Sequence, residues 1–371
     1  MANTLLTMKN IAREALPILQ NNLLMPNLIH QDYSEEFVGQ GDTIQIKKPA
    51  IFTANDFEST IDVQEAAIGG VDVKIDKLAD VSVEITSKEL ALSMEDFASQ
   101  VMEPMAVALA EKINKEGLEL AKDIPYFSGT AGVTPDDLDD FSDIRKGLNN
   151  NKAPLTNRRA VWDVDADAKF TQLASLVKVS DSGTSQALRE GEVGRVFGMD
   201  NYYSQHVYEH EAGEAAGATS PKVNGAVAAG AYTMAIDASA MTGGLKKGDL
   251  MTIAGNNYVV TEDTEDAATN AISSVKFYPA APEGGIADNA EITFVTGNSV
   301  RNMGFHKNAF AFVTRALPLP SDAQGYVVSF NGITLRVVRS YDISTKKEIM
   351  SMDVLYGFKT VYPELAQVRL G

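Results

Sequence analysis

Apolar and polar residues alternate with a period of two in the first quarter of the chain, from Thr43 to the break at Pro49 and again over residues 71–85. This alternation is typical of β-strands with one buried face. The two runs predict a long hairpin with one apolar face. The apolar positions that define this face are Ile44, Ile46, Val73, Ile75, Val81, Val83 and Ile85.

Residues 50–70, between these strands, carry several acidic side chains and no pattern of a regular element. A connection of that length without its own structure is unusual inside a compact domain. We therefore predict a projecting loop. An ordinary meander with a flexible connection is the alternative.

Helical spacing occurs in two segments. Near the N-terminus apolar residues recur every three or four positions after Thr7, a candidate N-cap, and we expect Pro17 to interrupt this helix. The longer pattern opens at Ser93 and runs to about Lys122. Pro104 lies inside it, so we expect a kink.

The middle third of the chain, Pro125 to His210, mixes helical and extended patterns, which is typical of an α+β domain. A shift to small, acidic and β-forming residues begins near Gly213 and ends near Gly297. Short strand patterns separated by glycine-rich turns predict a small closed or sandwiched β-module there. Since the mixed character returns afterwards, the module is predicted to be an insertion in a host domain.

The remaining residues, 309–370, contain a further series of strand patterns. Asn331 and Gly332 form the dipeptide that two-residue hairpin turns favour. The chain is therefore expected to end in a sheet, and the predicted fold class is α+β.

The net charge of the chain argues against some classes of function. With 50 acidic and 32 basic residues the formal net charge is −18, whereas nucleic-acid binding depends on clustered Lys and Arg. No run reaches the roughly 20 apolar residues that a membrane crossing requires, and the first segment lacks a secretory pattern. We expect a protein made in the cytosol that contacts no membrane and does not read DNA directly.

The sequence contains few candidate catalytic or metal-binding residues. The absence of cysteine excludes disulfides and thiolate metal sites. His206 and His210 have the spacing of a helical metal pair, but they follow a strand pattern and lack a third ligand, so a solvated loop is the favoured interpretation. No phosphate-binding loop or nucleophile elbow occurs. We expect no enzyme activity, cofactor or metal.

The order of these parts resembles the major capsid (coat) protein of tailed bacteriophages, the Hong Kong 97-type fold. The closing segment 355–366, LYGFKTVYPELA, looks like the C-terminal strand signature of that family. Segment 302–310 and the turn Leu245-Lys246-Lys247-Gly248-Asp249 are similar to the Salmonella podovirus group of coat proteins, which carries an inserted β-barrel.

The resemblance implies a domain organisation. Its parts are an N-terminal arm (1–35), an extended hairpin loop (36–88), a peripheral domain with a spine helix (89–124 and 331–371), an axial domain (125–212 and 298–330) and an inserted β-barrel-like domain (213–297). It also implies that the seven apolar hairpin residues contact neighbouring subunits. The inserted domain is expected to fold independently or to join capsomers.

The implied function is self-assembly of a virion capsid, through a procapsid, from pentamers and hexamers made in the bacterial cytoplasm. Expected partners are further copies, a scaffolding protein and a portal protein, with packaged DNA enclosed but not bound by sequence. The alternatives are an encapsulin-like compartment, a phage-associated glycan-binding module and, least favoured, a hydrolase.

Overall fold

The computed structural model describes residues 8–31, 43–47, 69–86, 98–178, 189–191, 193–320, 324–343 and 347–371. The chain forms two compact units. The first comprises Met1–Ile113 and Phe310–Val361, and the second comprises Asn114–Ala309 and Tyr362–Gly371. Each unit has its own sheet and core.

The α-helices of the described residues are short, apart from three. They are α1 (Met8–Asn22), α2 (Met25–Leu28), α3 (Glu103–Leu118), α4 (Leu138–Asn150), α5 (Val164–Phe170) and α6 (Ala174–Val177). A π-helical turn, Ala98–Met102, precedes α3, and a 3-10 turn, Glu119–Asp123, follows it.

The strands account for most of the remaining regular structure. In the first part of the chain they are β1 (Thr43–Lys47), β2 (Gly70–Lys74), β3 (Lys77–Thr86), β4 (Phe127–Ser128), β5 (Arg158–Trp162), β6 (Arg195–Val196), β7 (Met199–Tyr203) and β8 (Glu209–His210). The inserted segment contains β9 (Lys222–Val223), β10 (Thr233–Asp237), β11 (Leu250–Ile253), β12 (Asn256–Val260), β13 (Ala271–Tyr278) and β14 (Ile292–Phe294). The last strands are β15 (Ser299–His306), β16 (Phe310–Arg315), β17 (Gln324–Phe330), β18 (Ile333–Asp342), β19 (Lys347–Thr360) and β20 (Ala366–Leu370).

The sheet of the first unit is built around β19. This strand pairs antiparallel with β18, with β3 and, at its C-terminal end, with β16. The turn between β17 and β18 is Asn331-Gly332, and both residues have positive φ, as the predicted tight hairpin requires. β19, the longest strand at 14 residues, thus joins its three neighbours into one sheet.

Helix α1 packs its apolar stripe on β17 and β18. Ile11, Ala15 and Leu19 are buried on this stripe. The expectation that Pro17 interrupts the helix is wrong, because α1 continues to Asn22. Pro17 lies on the exposed side, where water can satisfy the carbonyl that loses its helical hydrogen bond, while the buried stripe stays in register.

Strands β1 and β2 form the first part of the predicted hairpin, with Ile44 opposite Val73 and Ile46 opposite Val71. The chain then crosses β19 at Gly357, where a Cβ would lie only 2.1 Å from the carbonyl oxygen of Lys74. This close approach requires glycine. The predicted projecting loop lies mostly outside the described residues.

Within the described part of residues 36–88, the hairpin pairing covers β1 and β2 but does not extend to β3. Strand β3 pairs along its whole length with β19, from Lys77 opposite Tyr356 to Thr86 opposite Lys347. The alternation of residues 77–86 predicts a strand, and the structure has one there, but the strand that pairs with it is distant in sequence. Pairing with β19 buries the apolar side of β3 better than a two-stranded ribbon could.

The predicted long helix appears as a helical segment from Ala98 to Asp123, with its start near Ser93 outside the described residues. Pro104 falls in the first turn of α3, directly after the π-helical turn. Proline has no N–H to donate to the preceding turn, and a π-helical turn is one of the features that accompany such an interruption in a helix. The expected kink is thus a change of helix type at the start of α3.

The second unit contains a host sheet with strand order β4-β20-β15-β5-β7-β6, and β8 also pairs with β15. Helix α4 packs on β15 and β20. The core beneath it contains Phe141, Trp162 and Phe170, whose ring centroids lie 4.3–4.9 Å apart. Such mutually tilted aromatic packing stabilises the layer between helix and sheet.

The inserted segment is a β-module with its own core. Its six strands have the order β14-β11-β12-β13-β10-β9. A bridge between Lys222 in β9 and Glu291, next to β14, joins the two edges of this sheet. The module is therefore a small closed barrel, filled by residues such as Ile236, Val260 and Val275.

Two expected domain boundaries differ from the structure. Residues 310–330, expected in the axial domain, belong to the first unit because β16 pairs with β19 and β17 with β18. Residues 362–371, expected in the peripheral domain, belong to the second unit because β20 pairs with β15 and β4. Both errors come from pairings between strands distant in sequence.

Candidate assembly surfaces

Three of the predicted contact residues are covered within the subunit. Ile46, on β1, and Val73 and Ile75, in and after β2, are buried. Their face is therefore not open in the single chain, which corrects the expectation. The side chains of Ile44 and Ile85 lie outside the part of the molecule that the structure describes.

Val81 and Val83 lie on β3, opposite Met352 and Met350 of β19. Both methionines are buried, whereas the two valines are only half-buried. They share the covered face of the sheet, but they occupy its edge strand. These two residues retain partly exposed apolar surface.

The opposite face of β3 and β19 exposes apolar side chains at its ends, whereas Asp353 near its centre is buried, and we call it the open face. It consists of Leu78, Asp80, Ser82 and Glu84 on β3 and Ile349, Ser351 and Asp353 on β19. Leu78 is 51% exposed and Ile349 is 46% exposed. The open face thus has apolar ends and a polar centre.

The polar centre is a row of charges across three strands. Arg336 of β18 lies opposite Asp353 of β19, which lies opposite Asp80 of β3. The Arg336 Nε is 2.8 Å from Asp353 Oδ2. The hydroxyl of Ser351 lies 2.6 Å from an oxygen of each aspartate, so it can donate its one proton to either carboxylate.

The electrostatics of this row favour the charged form of Asp80. Partial burial raises the pKa of the Asp80 carboxyl, but hydrogen bonds from the hydroxyls of Ser351 and Ser82 and the charge of Arg336 outweigh it, and the pKa lies below its usual value. The centre of the open face therefore stays charged and polar at neutral pH.

Further exposed apolar residues lie near the turns of the same sheet. Ile343 is 83% exposed after β18, and Tyr341 and Phe330 are also exposed. Sequence reasoning missed these positions and Ile349. A single apolar residue near a turn gives no periodic signal, because isolated surface hydrophobes are common.

The two neighbouring histidines do not form a metal pair. His210 is buried and bonds to Asp249, whereas the backbone of His206 bonds to Ser204 in a turn. In the ranges that the structure covers, no group of three potential ligands is close enough to hold a metal ion. Over the same ranges no helix is both long and apolar enough to cross a membrane.

Known structures resemble this fold, although no model of a protein family and no curated protein sequence matches the chain. A chain of Mycobacterium phage Che8 matches with a TM-score of 0.54 and 14% identity, over 94% of this chain and 90% of the phage chain. This likeness shows a shared fold. The chain has the Hong Kong 97-type capsid fold. The expected α+β class is confirmed.

Two capsid structures are similar at lower scores. The capsid chain of Cyanophage P-SCSP1u gives a TM-score of 0.48 at 16% identity, covering 90% of this chain and 84% of that chain. A chain of the bacteriophage PhiM1 mature capsid gives 0.46 at 12% identity, covering 89% of this chain and 82% of that one. The conclusion on the fold rests on the Che8 chain alone.

Proposed function

We propose that this chain is a major capsid protein that self-assembles into the icosahedral head shell of a tailed bacteriophage and encloses double-stranded DNA. One observation carries the proposal: the fold is shared with a phage chain over 94% of the residues. The parts also follow the order of the capsid family, with an N-terminal helix, hairpin, long helix, mixed domain, inserted barrel and closing sheet.

A structural role agrees with how such a molecule would act. In a closed shell every subunit contacts several others, so contacts that are individually weak add up to a stable particle. The chain would form pentamers and hexamers, guided by a scaffolding protein and completed by a portal protein. No catalytic step is part of the proposal.

The open face and the edge of β3 are the surfaces that we propose for contacts between subunits. Leu78 and Ile349 expose apolar surface at its ends, and Val81 and Val83 expose part of theirs along the edge strand. A sheet edge with exposed apolar side chains readily pairs with or packs against another chain. The charged centre would fix the register of the contact.

The acidic composition suits a container for DNA. With a formal net charge of −18, the chain lacks the excess of Lys and Arg that releases counterions from phosphates. Packaged DNA would thus be enclosed without being held in place. The same charge makes assembly sensitive to salt, because subunits of like charge repel less at higher ionic strength.

Substitution of Ile349 by Asp tests the proposed contact surface. Because Ile349 is 46% exposed, the charge should leave the subunit folded, with an unchanged circular dichroism spectrum, and should move most of the protein from the shell fraction to slowly sedimenting species. The matched control, Ile349→Val, keeps an apolar side chain and should form shells. Normal shells from soluble Ile349→Asp protein would show that the open face is not a contact.

A further inference from the structure

The turn that precedes β11, residues 245–249, holds a fully buried carboxylate. Asp249 is 1% exposed. Within the turn, its Oδ2 accepts the N–H of Lys246 at 2.8 Å. Both carboxylate oxygens also lie 3.2 Å from the N–H of Gly213, in the segment where the chain enters the module. The carboxylate thus joins the barrel to its own linker.

The same carboxylate reaches the host sheet. Its Oδ1 lies 2.7 Å from Nε2 of His210, in β8. A carboxylate can only accept, so Nε2 carries the proton, and Nδ1 can accept from the hydroxyl of Tyr208, 3.2 Å away. Asp249 therefore binds the module's turn, the linker and the host strand at once.

A buried cation lies beside this cluster. Arg301 of β15 is 2% exposed, its Nη2 reaches the carbonyl of Gly248 only at 3.4 Å, and its Nη1 has no hydrogen-bond partner among the described residues. Burial lowers the pKa of Arg301 to about 10, and the negative charge of Asp249 is the strongest influence against that shift. A buried cation needs such a countercharge, because its desolvation is costly.

The turn packs closely against the host domain at Gly248. Gly248 has a φ of +98°, and a Cβ there would lie 3.1 Å from Cγ of Lys122 and 3.2 Å from Cε1 of His210. Only glycine combines this backbone conformation with such close packing. The conformation of the turn is thus complementary to the host domain at this contact.

Other polar contacts between module and host are weaker or more peripheral. Lys247 Nζ lies 2.9 Å from Asp123, but both side chains are partly exposed, and such pairs contribute little. The hydroxyl of Tyr278 donates to Glu364 at 2.5 Å, at the far end of β13. Of the contacts named here, all between described residues, the cluster around Asp249 is the one that is both charged and fully desolvated.

We propose that Asp249 is the positioning residue that fixes the inserted barrel to the host domain, with Arg301 as its buried charge partner. Barrel and host then form one rigid body, and the barrel does not swing on its two linkers. The proposal does not depend on the capsid function. In a shell, it would give every copy the same barrel direction.

Hydrogen exchange and thermal unfolding of the full chain test this proposal. Asp249→Asn should lower Tm and speed exchange at residues 209–213 and 297–301, while the barrel core in β10–β13 keeps its protection. The matched control, Asp263→Asn, alters an exposed carboxylate that accepts the neighbouring N–H of Lys247 at 2.7 Å, and it should leave both regions unchanged. Equal loss of protection in the core would overturn the proposal, as would no effect beyond the control.

A double variant tests the charge partnership. Arg301→Met replaces the buried cation with an apolar chain, so Asp249→Asn combined with Arg301→Met should lower Tm by less than the sum of the single changes. If Asp249→Asn alone does not fold, the double variant should recover soluble protein. Additive losses of Tm, or no recovery, would contradict the pairing of these two residues.

Discussion

His306 shows how a single buried group ties stability to pH. It lies in β15 opposite Arg158, and its Nδ1 accepts the N–H of Asn308 at 3.2 Å. Burial, followed by the charges of Arg158 and Arg159, lowers the pKa of His306 below its usual value. Both influences oppose a positive charge on the ring, so the folded chain keeps His306 neutral.

The sign of the resulting pH dependence follows from linkage. As pH falls through about 6.5, the ordinary pKa of histidine, the unfolded chain takes up a proton that the folded chain refuses. Stability therefore falls from about pH 7 downward until the lowered folded pKa is reached. His306→Gln should reduce the loss of Tm over this range relative to its own Tm at pH 8. Parallel curves for wild type and variant would contradict the assignment.

The sequence predicts only part of the chemistry of individual residues. The missing cysteines and the scarcity of basic residues are read directly from the sequence. The Asp249 cluster is not, because His210, Asp249 and Arg301 come from three separate segments that only the fold brings together. Spacing rules find ligands within one element, whereas buried charge clusters depend on tertiary contacts.

At the scale of elements, the period-two alternation predicted where strands lie but not which strands pair with each other. Strands β11 and β18 lie within the two segments, 213–297 and 309–370, for which strand patterns were predicted. The sequence does not predict the pairing partner of β3. An alternation with a period of two shows which face of a strand is apolar, but it does not show which other strand lies beside it. This is also why Ile46, Val73 and Ile75 were expected at an interface and are instead covered within the chain.

Helix breaks were also hard to place. Within the mixed middle third, the sequence pattern over residues 167–176 predicts a single helix, but the structure has α5 and α6 with a turn between them. Asp163 caps α5 by accepting the N–H groups of Asp165 and Ala166, which starts the helix earlier than predicted. Local capping decides such boundaries more strongly than apolar spacing does.

The barrel supports a prediction at this scale. Because its core is closed by its own strands, residues 211–299 expressed alone should give dispersed amide resonances and a cooperative thermal transition. Val275→Asp places an unpaired charge in that core, at a cost of several kcal/mol, and should abolish both. The exposed change Thr233→Asp is the control. A disordered wild-type fragment would refute independent folding.

At the scale of the whole molecule, the chain has two compact units, an acidic composition and a fold shared with a phage chain. The order of elements carried the resemblance to capsid proteins, and the fold is shared with a phage chain at 14% identity. The surfaces themselves were less predictable, since Ile343 and Ile349 give no periodic signal. Exposure depends on which strands pair.

Electron microscopy of the purified full chain, with sedimentation at increasing protein and salt concentration, tests self-assembly most directly. We predict closed icosahedral shells, formed by the chain alone or when a scaffolding protein is co-expressed, and more readily as salt screens the acidic subunits. A folded, monodisperse monomer under all of these conditions would contradict the account.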